Sequence, residues 1–352
     1  MKNGKLITAA LILCIMVLAL VILMPEEHAA GQQSAGQKEP EKNEEAYSDI
    51  ESKESSVPTF IFALKYTDYL IETPESYETE NGIRSFQFSK MAEAIMPVKS
   101  ALEKGTVAYI DNYKNRNGAA PYYNGKSTDA LGNLRSASAP GYYDSSGNGD
   151  FRYIPDGTLV LVLRETDSLS EVALVGEESG ISYFVPQKYV ASDDPLLSLD
   201  KVIAIDRSNQ NIAAFEAIPK GEQEALSAEW KIVSYSLATT GKEGKYHQPT
   251  PLGYYYAIEK KPQFYYLKDG TDEIEGYAPY AIRFTAGAYI HGVSTAYQYA
   301  EDGSRIDPGI NEYSSSIGTV PLSHKCVRNY TSHAKFLYDW YEHGRTVVLV
   351  IE

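Results

Sequence analysis

The chain has 352 residues, a formal net charge of −15, 29 tyrosines against 10 phenylalanines, and two cysteines. The length predicts two folded domains with accessory segments. The acidity excludes nucleic acid as an electrostatic partner and excludes adhesion to an anionic membrane surface. Tyrosine offers a flat ring with a polar tip, which suits half-wet β surfaces.

Residues 1–30 open with Lys2 and Lys5, continue as an uncharged apolar run from Leu6 to Met24, and close with Glu26-Glu27. Such a run approaches the roughly 30 Å of a bilayer core, and the flanking lysines keep the N-terminus in the cytoplasm. The expectation is a single-pass signal-anchor that places the remainder outside the cytoplasm, at the cell wall. The alternative is a signal peptide cleaved near Ala29-Ala30-Gly31. Cys14 lies inside this run as a small apolar filler. Cys326 therefore has no disulfide partner among the exported residues. Residues 31–57 are rich in Glu, Lys, Gln and Ser and read as a flexible acidic linker.

Residues 58–197 begin with a strand near Thr59–Leu64, then a short helix around Met91–Ile95. A Gly-, Asn-, Ser- and Tyr-rich stretch signals loops from Asn115 to Asp150. Apolar runs at Thr158–Leu163, Val172–Val175 and Ser182–Pro186 predict a small all-β unit. Asp156-Gly157-Thr158-Leu159-Val160-Leu161-Val162, Gly176 and Tyr183-Phe184-Val185-Pro186-Gln187-Lys188-Tyr189-Val190 resemble a bacterial SH3-like domain over about 130–192, without the usual central tryptophan. That resemblance implies a β-barrel binding wall peptide or glycan. A β spacer with no ligand is the plainer reading.

Residues 198–352 are strand-rich, with runs at Val202–Asp206, Asn211–Phe215, Lys231–Ser236, Tyr254–Ile258, Tyr280–Phe284, Ala288–His291 and Thr346–Ile351. One helix is predicted from about Thr331 to Gly344, with Ala334, Leu337, Tyr338 and Tyr341 on one face. Before it stands Ser323-His324-Lys325-Cys326-Val327-Arg328. A lone thiol near histidines is a candidate nucleophile with a base. A helix N-terminus and neighbouring cations would lower its pKa. Backbone N–H groups of that turn could hold an oxyanion. His291, ending an apolar strand before Gly292, could serve as general base.

The ordered set resembles the L,D-transpeptidase catalytic domain, the YkuD-like family. Val202–Asp206 with Asn209-Gln210 is similar to its opening strand. Thr239-Thr240-Gly241 followed by Thr250-Pro251-Leu252-Gly253-Tyr254-Tyr255 resembles "T-G … T-P-x-G-x-[FY]". Tyr289-Ile290-His291-Gly292 resembles "[YI]-x-H-G", and Ser323–Arg328 resembles "S-H-G-C-[IV]-R". The resemblance implies a mainly β fold, a YkuD-like β-sandwich with one helix after Cys326. It implies a cofactor-free enzyme that joins peptidoglycan stem peptides. Cys326 would attack the third-residue carbonyl of a stem tetrapeptide, D-alanine would leave, and a neighbouring stem amine would resolve the thioester into a 3→3 cross-link. His291 would be the base, and His324 would line the site and help set the oxyanion geometry. Lys325 and Cys326 would donate the oxyanion N–H groups, while Ser323 and Arg328 orient the loop. Thr250, Pro251 and Gly253 would form a structural turn. Carbapenem-type β-lactams would inactivate such an enzyme.

Two features depart from the family. Lys325 stands where the motif has glycine, which would cost roughly 1–2 kcal/mol if φ had to be positive. The interval from His291 to Cys326 is long, and the excess from Thr295 to about Ser316 carries Asp302-Gly303 and Asp307-Pro308-Gly309, so an inserted hairpin or lid is expected. Other readings are an L,D-carboxypeptidase resolving the same acyl-enzyme with water, a non-catalytic wall-binding protein, a buried structural thiol, and a zinc site from His291, His324, His333 and Cys326. The last lacks C-x-x-C or H-E-x-x-H spacing. His333 and His343 are expected at the surface, and His247 has no assigned role.

Overall fold

In Val202-Ile203-Ala204-Ile205 every residue is apolar, so a strand made of it must be covered on both faces. The structure, a computed structural model, bears this out. It describes residues 57–178 and 180–352. The expected anchor and nearly all of the acidic linker lie outside the described residues, and among those described no helix is long and apolar enough to cross a membrane. The strand Lys201–Asp206 sits inside a six-stranded sheet. It pairs antiparallel with Asn211–Ala217 and parallel with Thr346–Ile351. Val202 and Ala204 face one core, while Ile203 and Ile205 face another.

The first core is closed by two short helices, Phe88–Glu93 and Met96–Lys104. They correspond to the one helix expected near Met91–Ile95, interrupted ahead of Pro97, which takes the first turn of the second helix. Met91, Ile95 and Val98 are fully buried there, each worth roughly 1.5–3 kcal/mol of transfer free energy. The second core is closed by the helix Thr331–Trp340, through Leu337, and by a second sheet, through Ile282, Phe284 and Ile290. The boundary expected at 198 divides the sequence but not the sheet. Phe60–Phe62, from the preceding region, pairs parallel with Trp230–Leu237 and ends the six-stranded sheet.

Strands between Val107 and Pro186 form a separate six-stranded antiparallel sheet. It takes in most of the stretch read as SH3-like. Its turn at Asp156-Gly157 is driven against the second sheet. Asp156 is fully buried. Its Oδ2 accepts from Arg283 Nη1 at 2.6 Å and from the Ala286 N–H at 2.9 Å, and its Oδ1 accepts from the N–H groups of Asn112 and Tyr113, both at 2.9 Å. Arg283 is itself 3% exposed and also donates Nε to Glu259. A buried pair of this kind tolerates the loss of one partner poorly, because the other charge is stranded in low dielectric.

His333 was expected at the surface and is instead fully buried. It lies four residues before Leu337 on the inner face of the helix. Its ring is bonded to Asn329 Oδ1 at 3.3 Å and to Ser234 Oγ at 3.1 Å, which satisfies both nitrogens without a charge. The helix ends at Trp340, a turn earlier than expected, where Tyr341 leaves the αR region.

Asp156→Ala is expected to destabilise the folded chain by roughly 3–5 kcal/mol, read from the shift of its denaturant midpoint. A loss below about 1 kcal/mol, the range of an exposed pair, would show that the Asp156–Arg283 contact does not hold the two sheets together.

Candidate functional site

The sheet register explains how distant parts of the sequence meet. Ala288–His291 pairs parallel with the two-residue strand Val327–Arg328, Ile290 beside Val327 and His291 beside Arg328. Side chains alternate along a strand, so Cys326, Arg328, Tyr289 and His291 share one face. That face is the floor of a cavity of about 560 Å³, where Cys326, His291 and Arg328 are joined by Ser323, His324 and Lys325. The strand Glu259–Leu267 supplies a wall through Phe264–Leu267, and Phe264 stacks on Tyr289 at 4.2 Å.

The nucleophile loop is braced from its back. Gly241 pairs with Ser323, and Thr239 pairs with Arg328. A Cβ on Gly241 would come within 2.3 Å of the Gln248 carbonyl and 2.8 Å of Lys325 Cα, so only glycine lets these segments close. Thr250 Oγ1 accepts from the Gly241 N–H and donates to the Lys325 carbonyl, each at 2.8 Å. In a planar trans peptide the N–H points opposite the C=O, so Thr250 turns the Cys326 N–H the other way. Ser323 Oγ donates to the Cys326 carbonyl at 2.5 Å. Among the described residues the N–H groups of Lys325 and Cys326 meet no backbone acceptor. Thr250 was expected in a structural turn with Pro251 and Gly253; residues 250–252 carry no turn, and Thr250 is instead a brace for the loop. Pro251 and Gly253 lead into the strand Gly253–Tyr256. Lys325 is not among the residues with positive φ, so the strain expected from a lysine at the glycine position does not arise.

Cys326 does not stand at a helix N-terminus. Val327–Arg328 and two further residues separate it from the helix. The thiol packs against Ala281, Tyr289 and Phe264. Burial pushes its pKa up, while the Tyr289 backbone N–H, Arg328 and Lys325 pull the other way. Its Sγ–H points to the Gly287 carbonyl at 3.7 Å. His291 is 3% exposed. Its Nδ1–H donates to the Gly292 carbonyl at 2.6 Å, which leaves Nε2 as the basic nitrogen. Burial lowers its pKa to about 4, against the Gly292 hydrogen bond. At rest the thiol and the imidazole are therefore both neutral, on one face of the cavity, and among the described residues no hydrogen bond joins them. The Gly292 N–H is tied back to the Pro279 carbonyl at 2.9 Å.

His324 lies at the rim. Its Nε2 is 2.6 Å from Asp269 Oδ1, and its ring stacks on His247 at 4.0 Å. His324 was expected to line the site and help set the oxyanion geometry; it does line the cavity, with its ring engaged by Asp269 and His247. His247, which had no assigned role, is its stacking partner. Histidine, cysteine and carboxylate side chains close enough for a metal are gathered, among the described residues, at His247, Asp269 and His324. The two rings are nearly parallel, 16° apart. Their lone pairs lie in separate parallel planes, so one ion could not sit in the plane of both. The set weighed from sequence, His291, His324, His333 and Cys326, is not assembled, since His333 is tied to Asn329 and Ser234.

The hairpin expected after Thr295 exists as Gln298–Tyr299 paired with Arg305–Ile306. It is exposed and reaches the cavity only through Ser294 and Ala296 at its base. The nearer wall is the 259–285 hairpin. Two lining residues had no signal in the sequence: Tyr113 and Lys114, from the loop that Asp156 holds.

Residues 200–350 match the family model of the L,D-transpeptidase catalytic domain, YkuD. Over these residues the chain is similar to that catalytic domain. No curated protein matches the chain. Similar solved structures include L,D-transpeptidase 3 from Mycobacterium tuberculosis (18% identity, 62% of this chain and 79% of that one, TM-score 0.30). An L,D-transpeptidase from Xylanimonas cellulosilytica has 22% identity over 51% of this chain and 71% of that one, TM-score 0.28. A fused zinc-dependent amidase, peptidase and peptidoglycan-binding protein from Clostridium acetobutylicum has 18% identity over 43% of this chain, TM-score 0.28, and the chain spans 52% of that protein.

A buried neutral thiol makes a specific prediction. Alkylation of Cys326 by iodoacetamide should be slow at pH 7 and rise about tenfold per pH unit to beyond pH 9. A plateau between pH 6 and 8 would instead reveal a thiolate–imidazolium pair. The two buried histidines predict acid sensitivity. Burial lowers His291 to about 4 and His333 to about 3, below the ordinary 6.5, so each contributes stability above pH 6.5 that is lost as pH falls toward those values. Denaturant titrations should show His333→Gln lowering the proton uptake on unfolding between pH 6.5 and 4 by about one. An unaltered slope would place a proton on native His333.

Proposed function

We propose that the chain is a peptidoglycan L,D-transpeptidase acting outside the cytoplasm, held to the cell membrane by its N-terminal segment. The observation that carries the chemistry is the shared face of Cys326 and His291, with His291 Nε2 unblocked and the adjacent loop N–H groups unused. Substrate binding drives Sγ toward Nε2, and the thiol proton passes to the imidazole as sulfur attacks the third-residue carbonyl of a stem tetrapeptide. The oxyanion falls to the N–H groups of Cys326 and Lys325, the first of which Thr250 aims by holding the Lys325 carbonyl. Collapse breaks the peptide bond, and imidazolium gives its proton to the departing amine of D-alanine. His291 next takes a proton from a neighbouring stem amine, which attacks the thioester. Sulfur leaves and recovers the proton. The product is a 3→3 cross-link.

Ser323 and Arg328 frame this loop, and Gly292 supplies the carbonyl that fixes the His291 ring. Carbapenem-type β-lactams present an acyl carbon that the same thiol would capture. The products distinguish a stem amine from water as the acceptor.

Full-length protein incubated with a carbapenem should gain one covalent adduct by intact mass, absent from Cys326→Ala. A folded chain that gains none sinks the acyl-enzyme reading. With disaccharide tetrapeptide, cross-linked dimers and free D-alanine are expected, and tripeptide monomers alone would make the chain a carboxypeptidase.

A further inference from the structure

The cavity has the wrong charge for its chain. The chain carries −15 overall, yet Lys114, Lys325 and Arg328 line the cavity against a single carboxylate, Glu275. Among the described residues none of the three cations has a carboxylate within ion-pair distance. Arg328 Nε is buried and, among the described residues, has no hydrogen-bond partner. Lys325 and Arg328 are half-buried and Lys114 is exposed; an unpaired cation part-way out of water is costly and calls for an anion.

These cations fall on two sides. Arg328 lies beside His291, whose pKa it lowers after burial has done most of the work. Lys325 lies toward the N-terminal sheet. Burial pushes its ammonium pKa down, and the nearby Cys326 and Asp156 hold it up. Asp156 is not its partner, because four donors already occupy that carboxylate. On the same side Asp156 fixes the loop of Tyr113 and Lys114. The Tyr113 ring lies 5.3 Å from the Arg283 guanidinium, and a Cβ on Gly287 would come within 3.0 Å of the Tyr113 hydroxyl. The Gly287 carbonyl is the one that faces the thiol. Lys114 follows with φ +57°, a left-handed conformation rare for a lysine, and this carries its exposed side chain into the cavity lining.

We propose that Lys325, from the YkuD-like domain, and Lys114, from the preceding β unit, together form a subsite for a free carboxylate of the peptide donor. This rests on the transpeptidase reading and assigns the leaving-group side of the same site. In a donor ending one residue beyond the attacked carbonyl, the terminal carboxylate carbon lies within about 3.8 Å of the carbon attacked. Its binding group must therefore flank Cys326, and Lys325 is the adjacent residue. Lys325 is then a specificity residue, which explains a lysine where the motif has glycine. The preceding β unit is a wall of the site, and Lys114 is its contribution to the lining.

The test is binding, measured by calorimetry on the full chain carrying Cys326→Ala, so that turnover is not needed. The probes are a synthetic stem tetrapeptide with a free C-terminal carboxylate and the same peptide as its C-terminal carboxamide. The acid should bind about tenfold more tightly than the carboxamide, with the preference shrinking as salt rises. Lys325→Gln and Lys114→Gln should each weaken the acid about fivefold and leave the carboxamide as before, and Lys114→Arg should restore the acid. Equal weakening of both peptides would make the lysines structural and overturn the subsite. An effect of Lys325→Gln without one of Lys114→Gln would remove the β unit from it. A chain that prefers the acid but forms no adduct and no product keeps the subsite and loses the reaction. A chain that turns over substrate with no acid preference keeps the reaction and loses the subsite.

Discussion

The Asp156 carboxylate is the contact on which the site's construction depends. One oxygen accepts the backbone of the Asn112–Tyr113 loop, and the other accepts Arg283 and the turn at Ala286. Ala286 leads directly to Gly287, whose carbonyl faces the thiol, and then into the strand that ends at His291. A buried ion pair is weak evidence of net stability, since desolvating both charges offsets most of their attraction. What it does well is fix register, because a shift of either partner strands a charge. Here it fixes the turn before the His291 strand relative to a loop from another sheet.

The second constraint is local. The thiol and the imidazole come from strands that touch for only two residue pairs. So short a contact could not by itself hold a loop, and the bracing comes from behind, through Gly241, Thr250 and Ser323. Thr239–Gly241 and Thr250 do not reach the cavity as reacting groups, but they decide which way the Lys325–Cys326 peptide points.

The sequence revealed what depends on periodicity and on motifs. Val202–Ile205 read correctly as a strand because all of its residues are apolar, and Cys326 and His291 were legible through the order of their motifs. The missed features are products of tertiary contact. Tyr113 and Lys114 sit in a polar loop whose composition says only that it turns. His333 was assigned to the surface as a polar residue, although its place four residues before Leu337 puts it on the buried face, where Asn329 and Ser234 satisfy it. The acidity expected for Cys326 failed for a geometric reason. The two-residue strand after it carries the helix N-terminus away, and apolar neighbours take its place.

That failure changes how the proposed chemistry must run. Lys325 and Arg328 make a thiolate at Cys326 less unfavourable, but Arg328 makes an imidazolium at His291 more so. Arg328 therefore opposes the imidazolium half of a resting ion pair, while both cations favour negative charge near sulfur. The proton can leave sulfur at low cost only when the negative charge moves on at once to an oxyanion held by the loop N–H groups. A carboxylate arriving between Lys114 and Lys325 would sharpen this, because it neutralises the lysine that helps the thiolate before reaction. Departure of the leaving group then returns that cation to the empty side of the site, where it again faces sulfur as the thioester is resolved. On this reading the lysine beside the nucleophile serves the second half of the cycle, thiolate release, as much as it serves binding in the first.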